Sequence, residues 1–424
     1  MAENVIQANR GTVDIQNPQH TSFATRQDTH INFAFEEFEI TADNTPTLGA
    51  KSKYIIDKKT ENHLLTNLKL QITLAEITIT SNPSITGATW LNWVNSIGHA
   101  AIKNITISSG TNDLETHTGE FLEIWNELNI DPDSTYNTHI GKYKTNPPTG
   151  ETTIPQKKMT VQLQYWFCRG ASGRDGIDGT KLALPIGYLN NNMEITVNFQ
   201  NEYNLVYTDG TIDSSLTSTE IKIDDCKLIV EYALLDTLKT HENNEIITLS
   251  QNFYRDYKQQ ITINQSVAFN GTATASGTKN VNWKSFTSSV IEMIWYIQKE
   301  KTDASTLQER FNFRFSGGNI LSNCSFEINN DSISKDLPAE YFCKVMPLTA
   351  KHQVPRKKVH IYPFAILPSK FSNPTGFFNC TYTSQSKLKL TFSTFTGAYE
   401  GELYALTRKI IYISGGTFII QDII

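Results

Sequence analysis

Short runs in which apolar and polar residues alternate recur along the whole chain. In the clearest of them Leu388, Leu390 and Phe392 alternate with Lys387, Lys389 and Thr391. Successive side chains of a strand point to opposite sides, so one row faces a core and the other faces water. Leu68, Leu70, Ile72 and Leu74 repeat the pattern against Lys69, Gln71 and Thr73. So do Val161, Leu163 and Tyr165, then Ile195, Val197 and Phe199, then Cys226, Leu228, Val230 and Tyr232. A polar interval at 236–250 follows, after which strand-like density resumes at 253–263, 281–297 and 311–315. The span from Tyr404 to Ile420 reads as a last strand ending near Gly415-Gly416.

One segment breaks the period of two. In 119–129, Phe121, Ile124, Trp125 and Leu128 fall at i, i+3, i+4 and i+7, which predicts a short helix with Glu120, Glu123 and Glu127 turned away from its apolar face. The stretch 359–392 reads as strand, long turn, strand. Pro368, Pro374 and Gly376 punctuate the turn, and Pro363 places its strand at a sheet edge or a bulge, because proline lacks a ladder donor. The Pro-, Gly- and Thr-rich span 131–155 predicts a surface loop, and Gly170, Gly173, Gly176 and Gly179 a flexible tip.

At 424 residues the chain exceeds what one core usually organises. The expected division is an arm at 1–16, a first domain at 17–235, a linker at 236–250 and a second domain at 251–424. Short strands with turn signals in each half suit an all-β fold of two consecutive eight-stranded jelly-roll barrels, with short helices in loops. No residue-level repeat links the halves.

Charge adds a constraint. A net charge of −6 with 19% charged residues gives no nucleic-acid footprint and argues against a genome-condensing role. The first residues lack the apolar run of a secretory signal, and no apolar run approaches the roughly 18 residues of a membrane span. Cys168, Cys226, Cys324, Cys343 and Cys380 are scattered without short spacing and read as free thiols of a reducing compartment. Sequons at Asn104, Asn264, Asn270, Asn323, Asn330 and Asn379 are what an Asn- and Thr-rich chain generates by chance.

Catalytic and metal motifs fail on inspection. His241-Glu242-Asn243-Asn244-Glu245 lacks the second histidine of a zinc helix. Asp131 and Asp133 open like a calcium loop, but Tyr136 and Lys142 stand where glycine and glutamate are required. Trp90, Trp93 and Trp125 have core spacing rather than that of a sugar platform. Arg356-Lys357-Lys358 is the compact basic cluster, read either as a solvated loop or as a patch touching membrane or acidic partners; His352 and His360 flank it without metal spacing. No catalytic residue, cofactor or metal ligand is expected.

Several segments resemble the major capsid proteins of nucleocytoplasmic large DNA viruses. Tyr362, Phe364-Ala365 and Pro368, followed by Pro374, Gly376 and Asn379, are similar to the family's late signature. Asn17-Pro18, Thr21 and Phe23, then His30, Asn32, Phe33, Ala34 and Glu36, resemble its opening. His117, Gly119, Glu120, Trp125 and Leu128 resemble an element between two strands of its first barrel. Leu182 to Pro185, Trp295 and Tyr341-Phe342 add further matches in chain order. The chain departs from the pattern at Ser369, Tyr382 and Ser384.

The resemblance implies a double jelly roll that trimerises into pseudo-hexagonal capsomers tiling an icosahedral shell. It implies as partners the chain itself, neighbouring capsomers, minor capsid and penton proteins and an inner membrane, with no direct nucleic acid. It also implies a place in the virion after assembly in host cytoplasm. Competing readings are a jelly-roll carbohydrate-binding protein, a β-sandwich hydrolase and a minor or vertex capsid protein.

Overall fold

A computed structural model describes residues 33–58, 63–81, 84–143, 150–169, 182–213, 221–235, 256–273, 276–300, 313, 320–329, 331–371, 375–381, 383, 385–393 and 397–423. The expected arm at 1–16, the linker at 236–250, the glycines at 170–179, Tyr382, Ser384 and the motif residues Asn17, Pro18, His30, Asn32 and Pro374 lie outside the described residues.

The first half holds eight principal strands: β1 (Phe33–Thr41), β2 (Lys51–Ile56), β3 (His63–Leu74), β4 (Ile102–Ser109), β5 (Asn112–Thr118), β6 (Lys157–Gln162), β7 (Met193–Phe199) and β8 (Ile223–Leu235). They form two four-stranded antiparallel sheets, in the orders β1-β8-β3-β6 and β2-β7-β4-β5. The second half holds β9 (Lys258–Ala273), β10 (Gly277–Asn282), β11 (Ser289–Lys299), β12 (Leu321–Ile328), β13 (Asp331–Ser332), β14 (His360–Pro363), β15 (Ser386–Phe392) and β16 (Gly397–Ser414). Their orders are β9-β16-β11-β14 and β10-β15-β12-β13. Adding eight to each strand number of the first half yields the second. Identity between the halves is not detectable, yet the path of the chain is repeated strand for strand, and each half is a jelly roll.

The period-two segments sit where alternation puts them. β7 and β15 each show a strict buried, half-buried alternation, with Leu388, Leu390 and Phe392 inward. β14 is the last strand of its sheet path and Pro363 its final residue, as the missing donor requires. The end of the chain departs from expectation. Gly415 and Gly416 do not terminate the last strand but turn it, with φ of 60° and 74°, into a hairpin whose return arm is β17 (Thr417–Asp422). Two consecutive positive φ angles are what a tight two-residue hairpin turn needs.

Helices occupy connections: α1 (Ile97–Ala100), α2 (Gly119–Asn129) and α3 (Thr135–His139). α2 has the predicted bounds, and the Thr118 side chain caps it by accepting from the Phe121 N–H at 3.2 Å. Gly119 is obligatory there, since a Cβ would lie 2.4 Å from the carbonyl oxygens of both His99 and Ile102. The span 131–155 is not a plain surface loop. It contains α3, it buries Asn137 and Ile140, and the Asn137 amide closes the turn by donating to the Asp131 and Pro132 carbonyls at 2.9 and 3.0 Å.

The second barrel has its own core around Trp283, Trp295, Phe326, Phe342, Leu388 and Leu403. The first core does not stop at its own barrel. Phe121, Trp125 and Leu128 of α2 belong to one apolar cluster with Ile294, Tyr296, Tyr404 and Leu406 of the second half. All five cysteines are buried free thiols, and burial pushes those of Cys226 and Cys380 up to about 12.

Candidate functional site at the junction of the barrels

The second barrel turns the outer face of β9-β16-β11 toward the first. Glu292, Ile294 and Tyr296 alternate with Met293, Trp295 and Ile297, which fill the second barrel's own interior. Tyr404 and Leu406 lie opposite Ile294 and Glu292 and share their face. Onto this surface the first barrel lays β5, α2 and the turn after Tyr165. Thr118 and Tyr404 share a hydroxyl–hydroxyl bond of 2.8 Å, and Phe121 packs on Tyr404 with centroids 5.4 Å apart.

α2 carries two carboxylates into the junction, contrary to the solvent-facing assignment of Glu123 and Glu127. Both are buried, because the helix is enclosed on the side opposite its apolar face by α1 and by 352–358 of the second barrel. The Glu123 carboxylate accepts from His99 Nδ1 at 2.7 Å and pairs with Lys142 Nζ at 3.1 Å and with Lys357 Nζ. Lys142 reaches Glu127 at 2.5 Å and donates to the Asn126 side-chain Oδ1 at 2.9 Å. Glu127 also accepts from the backbone N–H groups of Arg356 and Lys357, at 2.8 and 3.3 Å. Two carboxylates thus meet two ammoniums in a dry site, which is the condition for a tolerable buried ion cluster. Burial pushes the Glu123 carboxyl up, but Lys142, Lys357 and His99 more than reverse this and hold it well below the usual carboxylate range. Burial holds His99 down, favouring its neutral form.

Lys357 is therefore a structural cation, which corrects both readings of the basic cluster for that residue. Its neighbours Arg356 and Lys358 stay toward solvent, against Asp133 at 3.6 Å and Glu340 at 3.8 Å. His352 bridges the halves as well. Its Nδ1 lies 3.2 Å from Asn129 Oδ1 and its Nε2 3.2 Å from Glu292 Oε2. The Asn129 amide nitrogen donates to the Trp125 carbonyl at 3.2 Å, which turns its oxygen toward His352.

A second ionic centre lies nearer the start of β5. Arg169, 2% exposed, pairs with Glu115, donates to the Gln164 and Thr262 carbonyls at 2.6 and 2.8 Å and lies over the rings of Phe121 and Trp125. Glu115 also accepts from the Asn264 N–H of β9 at 2.8 Å. Beyond it, Asn190 donates to the Gly416 and Gly415 carbonyls at 2.7 and 3.0 Å. The connection after β5 thus meets the connection after β13, its counterpart, so the barrels stand side by side with corresponding ends together.

The remaining motif residues divide between the two barrels. Gly119, Trp125 and Leu128 lie in the junction, and Trp125 stacks on Phe371 at 6.0 Å. Glu120 is half-buried on α2, and Pro185 is buried beside Leu184, which bridges to Leu65. Trp295, Phe342, Tyr341, Tyr362 and Phe364 form an aromatic chain in the second barrel, with His360 stacked on Trp295. Pro368 is buried, Gly376 takes a φ of 150°, and Asn379 pairs with Ser289 of β11. Phe33 is exposed on β1. Among the described residues no group of three or more His, Cys, Asp or Glu side chains is arranged to hold a metal ion.

Residues 21–236 match the family described as "Major capsid protein N-terminus", and 237–414 match "Large eukaryotic DNA virus major capsid protein". The chain is 26% identical over 296 residues to the major capsid protein of Pyramimonas orientalis virus, covering 68% of this chain and 62% of that one. It is 23% identical over 295 residues to capsid protein 1 of Acanthamoeba polyphaga mimivirus, covering 67% and 46%. The chain thus spans about half to three fifths of the length of these relatives. Its fold is similar to VP54 of PBCV-1, with a TM-score of 0.71 at 16% identity over 94% of this chain and 99% of that one. The Faustovirus major capsid protein gives 0.70 at 10% identity over 97% of each. At such identities the likeness speaks for the double jelly-roll fold. With both halves matched in order by its sequence profiles, the chain belongs to the family of major capsid proteins of large eukaryotic DNA viruses.

Proposed function

We propose that the chain is an architectural building block of a viral capsid rather than an enzyme, and that three copies close about a threefold axis into a pseudo-hexagonal capsomer. One observation carries this reading: the strand order of one barrel recurs in the other, and corresponding ends stand together. Three such chains supply six barrels of one topology, so a trimer can fill a hexagonal lattice position. Ion clusters and a shared apolar core fix the angle between the barrels, as a tile requires.

On this reading 17–235 and 251–424 are the two barrels, 236–250 joins them, and the arm at 1–16 contacts neighbours. The motif residues are structural, holding the junction and the aromatic chain. Neighbouring capsomers, minor capsid and penton proteins and an inner membrane are the partners, and assembly precedes virion formation in the host cytoplasm. Light scattering coupled to size exclusion, with negative-stain imaging of the purified chain, tests the reading. A threefold particle of hexagonal outline, burying on the order of 2,000 Å² per interface, is the expected result. A species that stays monomeric at every concentration overturns it.

A further inference from the structure

The ion cluster on α2 leaves one of its polar groups unsatisfied. Asn126 is 2% exposed, its Oδ1 accepts from Lys142 Nζ at 2.9 Å, and its Nδ2 has no hydrogen-bond partner among the described residues. Buried amide groups are nearly always paired, so an orphan of this kind calls for an account. Glu123, Asn126 and Glu127 fall at i, i+3 and i+4 of α2 and share one side of the helix. Lys142 reaches all three. Its backbone is fixed for this: Gly141 takes a φ of 76°, the Lys142 N–H donates to the Asn137 carbonyl at 2.8 Å, and the Tyr143 N–H donates to Asn95 Oδ1 at 2.9 Å.

We propose that Lys142 and Asn126 become joined by a side-chain amide bond, which the folded chain forms by itself with Glu127 as the proton carrier. Glu127 takes a proton from the Lys142 ammonium, and the electron pair so freed on Nζ attacks Cγ of Asn126. The bond from Cγ to Nδ2 then breaks. The Glu127 carboxyl hands its proton to Nδ2 and takes a second from Nζ, so that Nδ2 departs as ammonia. An ammonium, a primary amide and a carboxylate thus become a secondary amide, ammonia and a carboxylic acid, and no oxidant or other reactant is consumed. Glu123 is left to balance Lys357, so the dry site stays neutral.

The arrangement supplies each part of this step. Cγ is one carbonyl bond, about 1.23 Å, from the Oδ1 that Nζ already touches, and a turn of the amide brings it under attack. Nδ2 has no hydrogen bond to lose in that turn. The Arg356 and Lys357 N–H groups hold Glu127 Oε2, while Oε1 faces Lys142 at 2.5 Å and can exchange protons with it. A carboxylate anion resists nucleophilic attack, which leaves the Asn126 amide as the acyl group within reach. The Lys142 side chain, 9% exposed, borders solvent and gives ammonia a way out. Burial pushes the Lys142 ammonium down, but Glu123 and Glu127 more than reverse this and hold it up. The free amine is therefore scarce, the bond follows folding slowly, and the ionic form described above is the one in which the chain first folds.

Intact-mass spectrometry of the full folded chain, fresh and after days at neutral pH, tests this together with peptide mapping. The expected result is a species lighter by one ammonia that accumulates with time. In it trypsin fails to cut after Lys142, and a further cut at Asp131 leaves two fragments still joined. Lys142→Arg, shown to be folded by circular dichroism, never yields the species, and Glu127→Gln yields it about a hundredfold more slowly. A mass that stays at the sequence value overturns the proposal. So does ammonia lost only by ring closure at Asn270-Gly271, which leaves the fragments on either side of Asp131 separable, and so does an undiminished rate in Glu127→Gln. Should a variant fail to fold, the map of the wild-type chain decides the matter alone.

Discussion

Replacing Glu123 by glutamine removes the charge that holds the upper part of the junction together and keeps the side chain's shape. Glu123 is fully buried, and its carboxylate is shared by Lys142, Lys357 and His99. Without it, Glu127 alone faces two ammoniums, and one cation is left uncompensated in a dry interior. Breaking a buried ion pair from one side costs about 3–5 kcal/mol. Unfolding entropy of about 2.1 cal/mol/K per residue over 424 residues gives roughly 0.9 kcal/mol per degree, so the midpoint falls by about 3–6 °C if the barrels melt together. Differential scanning calorimetry reads this directly. The pH dependence supplies a second measure. Glu123 is held well below its unfolded value, so its contribution is present above the ordinary carboxylate pKa of about 4.3 and is lost as pH falls through the folded value. Glu123→Gln therefore flattens the acid limb of the stability curve. A variant that melts within about 1 °C of wild type, with an unchanged acid limb, would refute the cluster as described.

Further expectations follow from other contacts. Replacing both Glu123 and Lys357 by methionine costs less than Glu123→Gln alone, because no charge is then stranded; equal losses in calorimetry would contradict this. Trp125→Ala, which empties space beneath Arg169 and against Phe371, lowers stability by about 3–5 kcal/mol in denaturant titration, and wild-type behaviour would mean its packing is misassigned. Gly119→Ala drives a methyl group into the His99 and Ile102 carbonyls and abolishes soluble expression or lowers the melting point by several degrees. His360, held down at about 4 by burial, is neutral when folded. Its unfolded form binds a proton near pH 6.5, so stability is full above that value and declines as pH falls toward 4. His360→Phe makes the decline shallower in urea titrations between these limits.

The sequence exposes some parts of this molecule and hides others, for physical reasons. β7 and β15 are legible because each has one wet and one dry side, and α2 because Phe121, Ile124, Trp125 and Leu128 keep helical spacing. The burial of Glu123 and Glu127 is not legible. Helical periodicity assumes a single dry face, whereas α2 is closed in by two barrels, and the cations that neutralise it stand at Lys142 and Lys357, far along the chain. Two like charges at i, i+4 repel on an isolated helix, and that spacing was the available sign of countercharges elsewhere. Lys357 was obscured by its basic neighbours, and the C-terminal hairpin by reading two glycines as an end rather than a turn.

The ion clusters of the junction lie beyond the reach of dissolved salt, because mobile ions screen charges that water touches and act far less on those it does not. Contacts that leave their charged groups wet respond to ionic strength, whereas the pairing of the two barrels keeps its strength. On the architectural function proposed above, a brine concentrated enough to take a shell apart would release whole tiles and not loose barrels, so that dismantling and rebuilding would proceed without any tile having to refold.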